Sequence, residues 1–108
     1  ESDIGAVCAY LEEHSGEPVS LDQLGEVAGL SKYYLLRSFT KQKGISPYRY
    51  LETIRIAKAR KLLERNVPMI EVALQTGFAD QSHFSRFFKR LIGVTPRQYA
   101  EIFGGRQA

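Results

Sequence analysis

Two arginines, Arg37 and Arg86, each sit within a set of polar side chains at helical spacing. Tyr33, Leu36, Arg37 and Thr40 fall at i, i+3, i+4 and i+7. Ser82, Ser85, Arg86 and Lys89 repeat that spacing, with Gln81 and His83 flanking them. Residues so spaced share one face of a helix. A different face of each stretch is apolar: Leu35 with Phe39 in the first, Phe84, Phe88 and Leu91 in the second. A helix anchored on one side and carrying guanidinium, hydroxyl and amide groups on the other is suited to reading base edges in a major groove. Arginine spans the O6 and N7 acceptors of guanine, Ser and Gln donate or accept, and an apolar group such as Leu36 meets a thymine methyl. Lys32, Lys41, Arg49, Lys89, Arg90 and Arg97 are the candidate cations for phosphate contacts.

Such faces need helices to hold them, and the whole chain reads as helix. Ile4, Val7, Cys8 and Leu11 form an apolar stripe that ends near Gly16. Ser20 with Gln23 resembles a capping box opening a short helix to about Ala28. After Gly29-Leu30, Ser31 caps a helix over Lys32 to Lys43, which Gly44 ends. Pro47, at a first helical position, opens a long helix to about Arg65. Shorter helices follow over about Met69–Thr76, Gln81–Ile92 and Pro96–Phe103. No window alternates with period two. The expectation is an all-α chain of about seven helices.

The pattern occurs twice. At an offset of 49 residues, Arg37, Phe39, Gly44, Pro47 and Tyr50 lie over Arg86, Phe88, Gly93, Pro96 and Tyr99. Ile45 and Ser46 meet the similar Val94 and Thr95, and upstream Leu24 to Gly29 matches Val72 to Gly77 at offset 48. Each copy reads short helix, glycine turn, longer helix, so two helix-turn-helix units are expected. The expected division is residues 1–46 for the first unit, 47–65 for a linker helix and 66–108 for the second. A 19-residue linker helix is about 28 Å long, close to the ~34 Å between major grooves one turn apart.

Charge agrees with a polyanionic partner. The net charge is only +3, but residues 1–30 hold seven acids and no Lys or Arg, whereas residues 31–65 hold ten basic side chains against Glu52 and Glu64. Such asymmetry points to a polyanionic partner for the middle and end of the chain, with a set of solvated helix faces as the alternative. The run Arg55, Lys58, Arg60, Lys61 and Arg65 reads as part solvated face and part flank of that interface.

Other chemistries lack the residues they need. With 44% apolar and 25% charged residues in 108, the chain is one small globular domain rather than a disordered one. No apolar run approaches the ~20 residues that span a bilayer. A single cysteine, Cys8, rules out an internal disulfide and a Cys-based zinc site, fits a reducing cytoplasm, and is expected as a small buried hydrophobe. His83 has no second ligand at metal-binding spacing, and His14 is expected to complement a helix end. No Ser/His/Asp set, paired acids or phosphate loop supports catalysis, and no cofactor is expected. There is no initiator Met and no signal peptide, and the chain is expected to be a piece of a longer polypeptide.

The stretch Gly77-Phe78-Ala-Asp-Gln-Ser82-His-Phe84-Ser-Arg86-Phe-Phe88-Lys89-Arg-Leu-Ile-Gly93-Val-Thr95-Pro96-Arg-Gln-Tyr99 resembles the signature of AraC/XylS-type transcription regulators. Ser20 to Phe39, through Leu24, Gly29, Ser31 and Arg37, resembles the first motif of the same domain. The likeness covers roughly Ile4 to Phe103. It implies a cytoplasmic bacterial transcription factor, an activator and not an enzyme, with two recognition helices in successive major grooves of double-stranded operator DNA. Carried over by position, Tyr33, Leu36, Arg37, Gln81, Ser82, Ser85 and Arg86 are the base-contacting candidates. RNA polymerase and an upstream effector-binding or dimerisation domain are the further partners it raises. Two residues depart from the family pattern. Gly25 stands where Ala is usual, which predicts a slightly weakened helix, and Leu36 stands where a polar side chain is frequent. Two other readings are a segment of a DNA-alkylation repair enzyme, which would need reactive cysteines, and a protein-interaction module.

Overall fold

The computed structural model describes residues 3–105. Seven helices make up the described chain: α1 (Ile4–Glu13), α2 (Leu21–Ala28), α3 (Lys32–Lys43), α4 (Pro47–Glu64), α5 (Met69–Gln75), α6 (Gln81–Ile92) and α7 (Pro96–Phe103). No strand occurs among the described residues. Local signals in the sequence set most of the boundaries. Ser20 and Gln23 form the reciprocal capping box of α2, and Thr95 and Gln98 form another at α7. Ser31 accepts the Tyr34 amide at the start of α3, and the Asp80 carboxylate accepts the His83 amide at the start of α6.

The chain divides into two compact units between Ile54 and Arg55, within α4. In the first, Ile4, Val7 and Leu11 of α1 pack with Leu24 and Ala28 of α2, Leu35 and Phe39 of α3, and Leu51 and Ile54 of α4. In the second, Ile56, Ala59 and Leu63 of α4 pack with Val72 and Ala73 of α5, Phe78, Phe84, Phe87 and Phe88 around α6, and Tyr99 of α7. The 18-residue α4 therefore serves both cores. Burying each large side chain contributes about 1.5–3 kcal/mol, so helices this short are held by their cores rather than by propensity.

The second unit closes on its own C-terminal segment. The Tyr99 hydroxyl donates to the Glu64 carboxylate and accepts from Arg60 Nε at 3.2 Å. Asn66 Nδ2 donates to the Gly105 carbonyl at 2.6 Å, and the Gly105 amide donates to the Glu64 carbonyl at 2.9 Å. These bonds tie the end of α4 to α7 and to the segment that follows it.

Four expectations need correction. Leu91 is not a core anchor; it is 42% exposed, and Phe87 fills the core beside Phe84 and Phe88 instead. Arg55 is not on a solvated face, because it is buried to 5% exposure. Cys8 is only half-buried and lies by the Tyr50 hydroxyl. A hydrogen bond with Cys8, then burial, holds that hydroxyl's pKa above its ordinary value. Gly25 does not simply weaken α2. A Cβ there would stand 2.6 Å from the Leu30 carbonyl oxygen, so the turn after α2 approaches too closely for Ala.

Candidate nucleic-acid interface

The two candidate reading helices are set by the same local device. In the first unit Gly29 turns the chain with φ +72°, and the Leu30 amide donates back to the Gly25 carbonyl at 2.9 Å. In the second, Gly77 has φ +88°, and the Phe78 amide donates to the Ala73 carbonyl at 3.2 Å. That backbone conformation favours glycine because a Cβ would crowd the following carbonyl. Each turn delivers the chain to a capped helix whose apolar side is sealed: Leu35 and Phe39 in α3, and Phe84 and Phe88 in α6, have no exposed surface. Rotation of either helix about its axis would expose these side chains, and that cost fixes which side faces out.

The outward side of α3 carries an open hollow lined by Leu36, Arg37, Thr40 and Lys41. Tyr33 and Arg37 are exposed, while Leu36 is half-buried because it also lines an apolar cavity of about 290 Å³ in the first unit. On α6 a second open hollow is lined by Gln81, Ser82, Ser85 and Arg86, which are the four candidates of that helix. Gln81, Ser82 and Arg86 are exposed and Ser85 is half-buried. The structure thus gathers each sequence-derived set onto one helix face.

The six candidate phosphate cations are all exposed but differ in their partners. Lys41, Lys89, Arg90 and Arg97 make no ion pair among the described residues. Lys32 Nζ lies 3.9 Å from the Asp22 carboxylate, and Arg49 Nε lies 3.6 Å from that of Glu52. Such exposed pairs are weak, about 0–1 kcal/mol, so the Lys32 pair leaves that charge available. Glu52 is buried, and it draws Arg49 more firmly. The i, i+3 spacing of Arg49 and Glu52 signalled their pairing; nothing in the sequence signals Lys32 with Asp22, which sit on different helices. A further depression in the second unit is lined by Lys58, Lys61, Leu62, Gln75 and Thr76. It carries two cations of the basic run, and its lining could not be read from spacing because α4 and α5 supply it together.

A helix-turn-helix domain family model matches residues 24–102. The chain belongs to the AraC/XylS-type helix-turn-helix family. It is a DNA-binding domain of the transcription-regulator class, not an enzyme. Among relatives in this family, the chain is 60% identical over 81 residues to YbfI, an uncharacterized HTH-type transcriptional regulator of Bacillus subtilis, covering 75% of this chain and 30% of that protein. It is 40% identical over 101 residues to the HTH-type transcriptional activator RhaS of Escherichia fergusonii, covering 93% of this chain and 35% of the relative. The chain thus spans about a third of the length of these curated relatives.

Solved structures of the same family agree. The C-terminal domain of AraT, a response regulator from Geobacillus stearothermophilus, superposes with a TM-score of 0.89 at 30% identity, covering 96% of this chain and 88% of that one. The DNA-binding domain of AdpA, solved with a target DNA, superposes with a TM-score of 0.88 at 28% identity, covering 95% and 94%. No described helix is long and apolar enough to cross a membrane, and no group of three or more His, Cys, Asp or Glu among the described residues could hold a metal ion.

Proposed function

We propose that this domain reads operator DNA for a bacterial transcription activator in the cytoplasm, with α3 and α6 entering successive major grooves. Residues 1–46 act as one reader, 47–65 as the connecting helix and 66–108 as the other. Tyr33, Leu36, Arg37, Gln81, Ser82, Ser85 and Arg86 contact bases; Lys32, Lys41, Arg49, Lys89, Arg90 and Arg97 contact phosphates. The observation that carries this reading is the duplicated outward face: two capped helices, each sealed on its apolar side, each with an arginine in an open hollow. Activation follows the role of the relative RhaS, an HTH-type transcriptional activator. RNA polymerase, and an effector-binding or dimerisation domain elsewhere in a longer protein, are the partners such a role requires.

The test begins by selecting bound sequences from a random duplex pool. On the selected site, log K should fall with log salt at a slope between about −4 and −5, the range for four to six phosphate contacts. Arg86→Ala should cost about 1–3 kcal/mol and relax preference at one base pair, whereas Lys89→Ala should weaken all sequences evenly. Equal losses without any change in base preference would remove Arg86 from base readout. Inserting five base pairs between the sub-sites turns one groove to the far side of the duplex, and affinity should fall to that of a single unit. Equal binding to both spacings would show that one unit engages DNA at a time.

A further inference from the structure

Arg37 and Arg86 occupy equivalent places in the repeat, yet one neighbouring side chain separates their situations. Four residues before Arg37 stands Tyr33; four residues before Arg86 stands Ser82. Arg37 Nη1 donates to the Tyr33 hydroxyl at 3.4 Å, and its guanidinium carbon lies 5.6 Å from the centre of the Tyr33 ring. That ring is in turn met edge-on by Tyr34, with centroids 5.5 Å apart and planes at 74°. Arg86 makes no hydrogen bond, ion pair or ring contact among the described residues. Tyr33 is 60% exposed, so the demands of the core do not explain the arrangement.

The chemistry of the pair suits the orientation of a reading arginine. The π face of the ring attracts the cation, and the hydroxyl takes one N–H. Guanidinium has five donors in a planar fork, so most remain for a partner. A bidentate contact to guanine needs two of them presented in one plane toward O6 and N7. An arginine already held against a ring loses less freedom on binding than one that is free.

We propose that Tyr33 is a specificity-determining positioning residue, which presets the Arg37 guanidinium for guanine before DNA arrives. The inference rests on the DNA-reading role of the α3 face proposed above. On this account the first unit reads with a prearranged arginine, and the second with an arginine that orders only on binding. On this account the base contact proposed above for Tyr33 is made by Arg37, which Tyr33 holds in place.

The experiment is a double-mutant cycle on the 108-residue chain, using the duplex selected by the unaltered protein. Y33S copies the second unit, and Y33F keeps the ring while removing the hydroxyl. Y33S should weaken binding about three- to fivefold, the scale of an exposed cation–π contact, and Y33F by less. The lost preference should fall on the base pair that R37A also relaxes. In an R37A background, Y33S should cost almost nothing more, and the salt slope and the unfolding midpoint should not move. Additive losses, or lost preference at a different base pair, would overturn the proposal by giving Tyr33 its own contact. A drop in unfolding midpoint matching the drop in affinity would also overturn it, by making Tyr33 a packing residue. If the unaltered chain selects no duplex at all, the DNA-reading role of α3 fails first, and the two failures are distinguishable.

Discussion

In the first unit the ring of Phe39 meets that of Tyr50 with centroids 5.4 Å apart and planes at 78°; in the second, Phe88 meets Tyr99 at 5.5 Å and 72°. The helix behind each pair presents the same apolar spacing, Ile4, Val7 and Leu11 in α1 and Ile56, Ala59 and Leu63 in α4. Around these matched cores the polar surroundings have diverged. The Tyr50 hydroxyl lies by Cys8, whereas the Tyr99 hydroxyl is held by Glu64 and Arg60. The faces proposed to read DNA differ more, with Tyr33, Leu36 and Arg37 in one unit against Ser82, Ser85 and Arg86 in the other. A close-packed interior tolerates little change in volume, while an exposed face costs almost nothing to alter. The contrast separates the residues that make a helix-turn-helix from those proposed to make it read a particular sequence.

The strongest way to break this comparison is to remove its matched centres. Phe39 and Phe88 are both fully buried, so Phe39→Ala and Phe88→Ala should each cost about 3–5 kcal/mol in denaturant unfolding. A cost below ~1 kcal/mol for either one would show that the two cores are not equivalent. A smaller effect sharpens the comparison at the turn. Gly25 and Ala73 occupy the same repeat position, but only the first has a carbonyl 2.6 Å from where a Cβ would sit. Gly25→Ala should therefore destabilise by about 1–3 kcal/mol, against the usual preference for Ala in a helix. Ala73→Gly should cost about 1 kcal/mol in the ordinary direction. A stabilising Gly25→Ala, read as a raised unfolding midpoint, would mean that the first turn relaxes freely. The smallest expected difference lies at the caps. Asp80 accepts its amide at 2.7 Å and Ser31 at 3.3 Å, and both residues are exposed. Asp80→Ala should cost about 1 kcal/mol and Ser31→Ala less. The reverse order would show that cap length does not rank these two helices.

The sequence alone determined the helices, and it did so because their signals are local. Ser31, Pro47, Asp80, Thr95 and the glycines at the turns act on backbone groups within four residues, so α3, α6 and α7 begin and end where those residues predict. At α1, α4 and α5 the last residues expected lie just beyond the helix, and α4 and α5 are closed two residues past their ends by Asn66 (φ +62°) and Gly77 (φ +88°) in the left-handed conformation. The outward faces were legible for a related reason: the apolar stripe of each helix is sealed, and its complement must meet water. Tertiary structure decided what depends on a neighbouring element. Leu91 continues the stripe of Phe88 by three residues, yet the next residue, Ile92, packs against the core while Leu91 is exposed, so stripe membership does not say which side of the last turn is covered. Arg55 reads as one cation of a basic run, but the side of α4 on which it sits is closed. Gly25 reads as a weak helix former until the Leu30 carbonyl is placed beside it. Lys32 meets Asp22 only because the turn at Gly29 folds α3 against α2. Periodicity names a face of a helix, but the distance from that face to the next backbone is set by packing, and at these positions packing chose the outcome.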